Sequence, residues 1–234
     1  MATDPVLKVT NLHAGYGQSE VLHGLNFSVA QAEILVVVGR NGMGKSTLMK
    51  SLIGMVPVKI GQIELDGTDV AHFKSYRRVA KGIAFVPQGR MIFSNMTVQE
   101  NIETGLFVHA TPAVPPDIYT LFPVLQEMKA RRGGNLSGGQ QQMLAIARAL
   151  ATGPKVLLLD EPTEGIQPSI ILELARTLKQ IRNERGLSIV ASEQVLSFAL
   201  DIADRVLVLE GGNIVHEDMR ADLDQEKVAR YLAV

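Results

Sequence analysis

Cysteine is missing from all 234 residues, which excludes disulfide scaffolds, thiolate metal sites and cysteine nucleophiles together and fits a reducing compartment. Long apolar runs are missing too. No uninterrupted stretch approaches the ~20 residues of a membrane span, and "MATDPVLKVT" lacks the basic segment and apolar core of a secretion signal. The expectation is a cytoplasmic chain that meets a membrane only through a protein partner. Nor is there an excess of charge: 23 basic against 24 acidic residues give a net −1, leaving no broad basic field for nucleic acid. Internal repeats and low-complexity tails are absent. What is present, 46% hydrophobic content, suffices for one sizeable core, alone or carrying a smaller lobe.

Short β-rich apolar runs recur at Ile34–Val38, Val156–Leu159 and Leu187–Ala191, separated by segments of helical periodicity. That is the pattern of an α/β fold with a mostly parallel sheet, and the near-continuous hydrophobicity of the runs means that both faces are covered. "VLKVTNLHAGYG", "NFSVAQAE" and "GQIELDG" instead alternate apolar with polar residues, which predicts a flanking antiparallel sheet, half exposed, with a tight turn at Asp66–Gly67. Between Ser94 and Gly153 the strand signal fades. Thr97 and Glu100 make a capping box that opens a helix through about Leu106. A proline-rich loop at His109–Asp117 follows, then a helix over roughly Ile118–Arg131. The expected division is a core of residues 1–93 and 154–234 with a helical lobe at 94–153 inserted in it.

"GRNGMGKST", Gly39 to Thr47, matches G-x-x-x-x-G-K-S/T directly after the strand "ILVVV" and before the helix-like "TLMKSLIGM". Glycines 39, 42 and 44 let the backbone bend so that the amides of Arg40, Asn41, Met43 and their neighbours point inward at phosphates, at a helix N-terminus. Lys45 would bridge the β- and γ-phosphates of a nucleotide, and the Ser46 hydroxyl would ligate Mg²⁺. A glycine-rich turn with no ligand is the structural alternative, and the flanking strand and helix weigh against it.

"VLLLDEP" sets Asp160 and Glu161 at the C-terminal end of an apolar strand, the edge of a parallel sheet where ligands bind. Asp160 suits the Mg²⁺ shell, and Glu161 suits the group that orients and deprotonates an attacking water. Both could instead cap the next helix. Gln88, ending "AFVPQ", can touch metal and water alike, or can be a surface glutamine. Tyr16 in "GYGQS" can stack on a base or simply pack. A second anion-suited helix start lies in "NLSGGQQQMLAIARAL", where Ser137 and the Gly138, Gly139 and Gln140 amides open a helix of the lobe, not of the core. One chain thus carries two half-sites, and two chains packed head to tail would each close the other's nucleotide.

The P-loop, "LSGGQ" and "LLLDEP", in this order and spacing, resemble the nucleotide-binding subunit of ABC transporters over essentially the whole chain. The resemblance implies a P-loop NTPase core of the RecA-like kind, ATP and Mg²⁺ as ligands, Tyr16 stacked on adenine, Gln88 as the Q-loop, Glu161 as catalytic glutamate and Thr163–Pro168 as the D-loop. It implies three sorts of partner: a second ATP-binding subunit, permease subunits whose cytoplasmic helix enters a groove beside Gly89–Phe93, and indirectly a solute-binding protein. Within the family, "GYGQSEVLHGL", "VPQGRMIF" and "TEGIQPSII" look like the branched-chain amino acid importer group, nearest its urea and short-chain amide branch. Two residues depart from the family pattern. Gln194 stands where a switch histidine is expected, which points to an asymmetric pair of ATPase chains, and Ala32 stands where glycine is usual. A non-transport ATPase of the same fold is the competing expectation. A GTPase switch would carry N-K-x-D, and the chain has none.

Overall fold

The computed structural model describes residues 4–108 and 113–232, so the expected loop at His109–Asp117 lies partly outside the described residues. In chain order, strands β1 (Leu7–Ala14), β2 (Leu22–Val29) and β3 (Ile34–Val38) lead into helix α1 (Lys45–Ile53). Next come β4 (Val58–Leu65), β5 (Thr68–Asp69), α2 (Ser75–Lys81) and β6 (Ile83–Val86). Helices α3 (Val98–Glu103), α4 (Pro116–Leu121), α5 (Pro123–Glu127) and α6 (Gly138–Leu150) follow without an intervening strand. The chain then alternates β7 (Val156–Asp160), α7 (Pro168–Arg185), β8 (Ser188–Glu193), α8 (Leu196–Ile202) and β9 (Arg205–Glu210), and finishes with β10 (Asn213–Met219) and α9 (Gln225–Leu232).

Two sheets result. The larger runs β10-β9-β3-β8-β7-β6, parallel except for the β9–β10 hairpin. The smaller, β2-β1-β4-β5, is antiparallel throughout. Every residue of β3, β7 and β8 is buried, because successive side chains point to opposite faces and both faces are covered. Val36, Leu157, Leu159 and Ile189 join Leu144, Leu174, Leu178 and Phe198 of α6, α7 and α8 in one apolar cluster. Leu35, Val37, Leu158 and Val190 join Leu48, Met49 and the inner residues of the antiparallel sheet in the other. Each such side chain contributes about 1.5–3 kcal/mol when fully buried. Among the described residues no helix is long and apolar enough to cross a membrane.

The Thr97–Glu100 capping box forms, with Thr97 N–H donating to Glu100 Oε2 at 2.7 Å and Glu100 N–H to Thr97 Oγ1 at 3.1 Å. Its helix passes after Glu103 into a 3₁₀ turn over Thr104–Val108. The helix expected over Ile118–Arg131 is instead two short ones, α4 and α5, because Pro123 has no N–H to continue the ladder and serves as the first residue of a new helix. Asp66 and Gly67 have φ of 46° and 72°, the positive values a two-residue hairpin turn requires. Ala32 sits at φ 56°, a left-handed conformation costing a non-glycine residue roughly 1–2 kcal/mol, so its replacement of the usual glycine leaves local strain before β3.

Helix α1 is fastened from behind by Arg78 of α2, which is only 1% exposed. Its guanidinium donates to the carbonyls of Ser51 (2.7 Å), Leu52 (2.8 Å), Ala71 (2.6 Å) and Phe73 (3.0 Å). Burial lowers its pKa to about 10, opposed by Asp69. The first two carbonyls belong to the last turn of α1, where the helix itself runs out of donors; that of Ser51 also accepts from the capping Gly54 N–H at 3.1 Å. Arg78→Met keeps the apolar stem but strips a donor from each carbonyl. We expect a loss of about 3 kcal/mol or more, read as a melting temperature lowered by about 6–12 °C for a domain of this size. Thermal unfolding followed by circular dichroism measures it.

Candidate nucleotide site

From Val38 the chain turns at once into the P-loop. Gly39 passes so close to β9 that a Cβ there would lie 2.4 Å from the Leu209 carbonyl oxygen, and Gly42 and Gly44 take φ of 79° and 105°. The loop closes on the N-terminus of α1, whose free amides and partial positive charge suit an anion. Met43 ties the loop to the β9–β10 turn, its carbonyl accepting from Gly212 N–H at 3.1 Å. A cavity of about 250 Å³ opens here, lined by Val21, Asn41, Gly42, Gly44, Lys45, Ser46, Thr47, Gln88 and Glu161. Asn41 is exposed, as is Arg40, which with Asn41 and Gln194 lines a neighbouring cavity.

Lys45 is 4% exposed. Its ammonium donates to the carbonyls of Gly39 (2.7 Å) and Arg40 (3.1 Å) and stands 3.2 Å from Glu161 Oε1. Asp160 ends β7 beside it, and its Oδ1 accepts from Ser46 Oγ at 3.1 Å and from Ser192 Oγ at 2.6 Å. Burial pushes the Asp160 carboxyl above its ordinary pKa, while the two serine hydroxyls pull it back. Its Oδ2 is buried with no partner. A buried carboxylate oxygen without a donor is costly unless a cation meets it, and a carboxylate beside a hydroxyl, completed by phosphate oxygens, is the donor set that suits Mg²⁺. Gln88, exposed at the end of the segment after β6, faces the same cavity.

Glu161 follows in a left-handed conformation, φ 48°, with its amide held by the Ser192 carbonyl at 3.1 Å. Its Oε2 accepts from Gln194 Nε2 at 2.9 Å, so the carboxylate is gripped between a cation and a neutral amide. Neither acid caps α7, which begins at Pro168 without a side-chain cap. The helix-cap alternative is thereby overturned.

The second half-site stands apart. Ser137 is the exposed N-cap of α6, donating its N–H to Gln140 Oε1 at 2.9 Å and accepting Gln140 N–H on its hydroxyl at 3.3 Å. Gly138 and Gly139 begin the helix, and a Cβ on Gly139 would lie 2.5 Å from Ile170. None of Ser137–Gln140 lines the P-loop cavity, so one chain does not bring them together with Lys45. Tyr16 is 51% exposed on the turn after β1, and Val21, which sequence reasoning passed over, lines the cavity where Tyr16 does not.

Two arginines, Arg90 of the Gly89–Phe93 stretch and Arg148 of α6, connect these parts. Arg90 donates to the carbonyls of Glu164 (2.9 Å) and Gly165 (3.2 Å). Arg148 of α6 donates to the Met91 carbonyl at 2.9 Å and lies 5.3 Å over the Phe93 ring. Beside them runs an apolar groove of about 430 Å³ whose walls include Phe85, Met91, Phe93, Val108 and Arg148.

The ABC transporter family model matches residues 22–164. The chain is 42% identical to the high-affinity branched-chain amino acid transport ATP-binding protein BraG of Pseudomonas aeruginosa, covering 89% of this chain and 90% of that one. It is 35% identical to the probable branched-chain amino acid transport ATP-binding protein LivF of Archaeoglobus fulgidus, with the same coverage of 89% and 90%. A solved ATP-binding cassette of an ABC transporter superposes with a TM-score of 0.83 at 24% identity, covering 99% of this chain and 100% of that one. The relatives are transport proteins, which favours the transport reading over the non-transport alternative. With a phosphate cradle, a buried lysine and a gripped glutamate in one cavity, and such likeness along its length, this chain belongs to the ABC transporter family as an ATP-binding subunit that hydrolyses ATP.

Proposed function

We propose that the chain works in a head-to-tail pair with a second ATP-binding subunit, each P-loop closed by the other's Ser137–Gln140, and powers import of a small nitrogenous solute. The observation that carries it is the separation of two anion-suited helix starts within one chain, the second exposed and outside the P-loop cavity. The helical segment 94–153 is the lobe that presents this second start, and residues 1–93 with 154–234 are the core that holds nucleotide. Permease subunits hold the pair at the inner face of the membrane, a helix of theirs entering the groove beside Met91 and Phe93. A solute-binding protein delivers cargo on the far side.

Within the site, Lys45 binds the β- and γ-phosphates, Tyr16 stacks on adenine, and Ser46, Asp160 and Gln88 hold Mg²⁺. When bound, Mg²⁺ neutralises charge on the phosphate oxygens. Phosphates arriving at Lys45 compete with Glu161 for its ammonium, which frees that carboxylate to orient the attacking water and take its proton. Gln194 holds the other carboxylate oxygen in place. A protonated histidine at this position would make a charge-assisted bond of about 1.5–3 kcal/mol against about 0.5–1.5 for a neutral donor. The site containing Gln194 is therefore about tenfold slower than one with histidine, and the partner subunit carries the faster site.

Likeness of "PQGRMIF" and "SEQVLSFA" to the urea and short-chain amide branch supports a solute of that class. The names of the two relatives support branched-chain amino acids as the second reading.

Three outcomes are expected. Glu161→Gln slows hydrolysis and traps ATP, so an ATP-dependent dimer accumulates in size-exclusion chromatography with light scattering; monomer alone, even after mixing with the partner subunit, counts against the sandwich. Gln194→His raises the steady-state rate of the isolated chain by about tenfold, and an unchanged rate, with the isolated chain already as fast as the mixed pair, makes a symmetric homodimer the better account. In reconstituted transporter, urea- or amide-loaded binding protein stimulates ATPase activity; stimulation by leucine-loaded protein alone transfers the assignment to branched-chain amino acids.

A further inference from the structure

Glu193, the last residue of β8, is 1% exposed, and no step of hydrolysis described so far uses it. One of its oxygens, Oε1, accepts from Thr163 Oγ1 at 2.7 Å and from Thr163 N–H at 3.2 Å. The other, Oε2, accepts from the backbone N–H groups of Gln194 at 3.0 Å and Val195 at 3.2 Å. Burial pushes this carboxyl up, and the bonds from Thr163, Val195 and Gln194 pull it down. Among the described residues no cation forms an ion pair with it. A buried carboxylate without a counter-ion is an expensive way to fill space. Its surroundings show what it does instead, since all four donors belong to the two loops that carry the Glu161 site.

These loops touch at two points. Gln194 reaches Glu161 through its side chain, Nε2 to Oε2 at 2.9 Å, and Glu193 reaches Thr163, two residues beyond Glu161. Gln194 has several rotatable bonds and would lose its hold if its backbone shifted by an ångström. The Glu193 link is short, buried and bonded at both ends, so it sets the spacing that the Gln194 side chain then spans. We propose that Glu193 is a positioning residue for hydrolysis, clamping the Thr163 loop against the Gln194 backbone so that Gln194 holds Glu161 in its working orientation. The proposal rests on Glu161 being the group that activates water.

Glu193→Gln keeps the shape but replaces one acceptor oxygen by a donor, so either Thr163 or the Gln194 and Val195 amides lose their partner. Steady-state hydrolysis by the purified chain is expected to show kcat lowered by about tenfold, with KM for MgATP held within about twofold. The discriminating measurement repeats the change in a Gln194→Ala background. A clamp acting through Gln194 produces no further loss there, whereas a general packing defect lowers the rate by the same factor in both backgrounds. Thr163→Val removes one donor without touching the carboxylate and should lower kcat in the same Gln194-dependent way, with Thr163→Ser restoring the rate. It keeps the test alive if Glu193→Gln does not fold. An unchanged kcat, a loss confined to KM, or full additivity with Gln194→Ala overturns the proposal. Glu161→Gln, run in parallel, separates the two readings: hydrolysis not slowed by it removes the role of Glu161 itself, while hydrolysis slowed there but untouched by Glu193→Gln removes only the clamp.

Discussion

Parallel pairing of β3, β8 and β7 obliges three loops to leave the sheet at one edge. Val38 pairs with Glu193, and Asp160 with Ser192, so residues far apart in the chain end level with one another. The loop of Gly39–Gly44, the turn at Gln194 and the segment from Glu161 have nowhere else to go. The apolar faces enforce this register. A slip of one residue in β8 would turn Ser192 away from Asp160 and Glu193 away from Thr163, and would send Ile189 and Val190 to the wrong clusters at the same time. The core therefore fixes the polar geometry without contributing a polar atom to it.

Three carboxylates crowd that edge, and their surroundings separate them. Asp160 meets two hydroxyls on one oxygen and nothing on the other. Glu161 lies between the Lys45 ammonium and the Gln194 amide. Glu193 is surrounded by amides and a hydroxyl. In a medium of low dielectric such differences set apart an acid with an open oxygen, an acid beside a cation and an acid held by neutral donors. Among the described residues Lys45 is the one buried ammonium, and an anion entering the cavity would compete with Glu161 for it.

Much of this was legible in the sequence where the cause is local. Continuous apolar runs marked β3, β7 and β8, alternation marked β1, β2 and β4, and the spacing of Gly39, Gly42, Gly44, Lys45 and Ser46 marked the cradle, because a bent backbone at a helix start needs those residue types there. The break at Pro123 also has a local cause, its missing N–H, which the expected helix over Ile118–Arg131 leaves out of account. The contact of Gln194 with Glu161 and the burial of Arg78 left no local trace, since each depends on elements far apart in the chain. Arg78 lies among Lys74, Arg77 and Lys81, and nothing in that basic stretch sets it apart. Glu193 stands just past the apolar run Leu187–Ala191, and the run itself says nothing of its burial. The β9–β10 hairpin had a signal in Gly211–Gly212, whose φ values of 52° and 75° suit a two-residue turn.

The guanidinium of Arg78 also occupies the space that a side chain on residue 54 would need. A Cβ there would stand 2.8 Å from its Nε, and Gly54 has a φ of 83°. The two positions are thus coupled. Residue 54 stays closed to larger side chains while the arginine remains, and loss of the arginine leaves a backbone that still favours glycine. The constraint runs one way: replacing Arg78 does not by itself open residue 54, whose φ keeps it glycine, and enlarging residue 54 would displace the guanidinium that holds the end of α1.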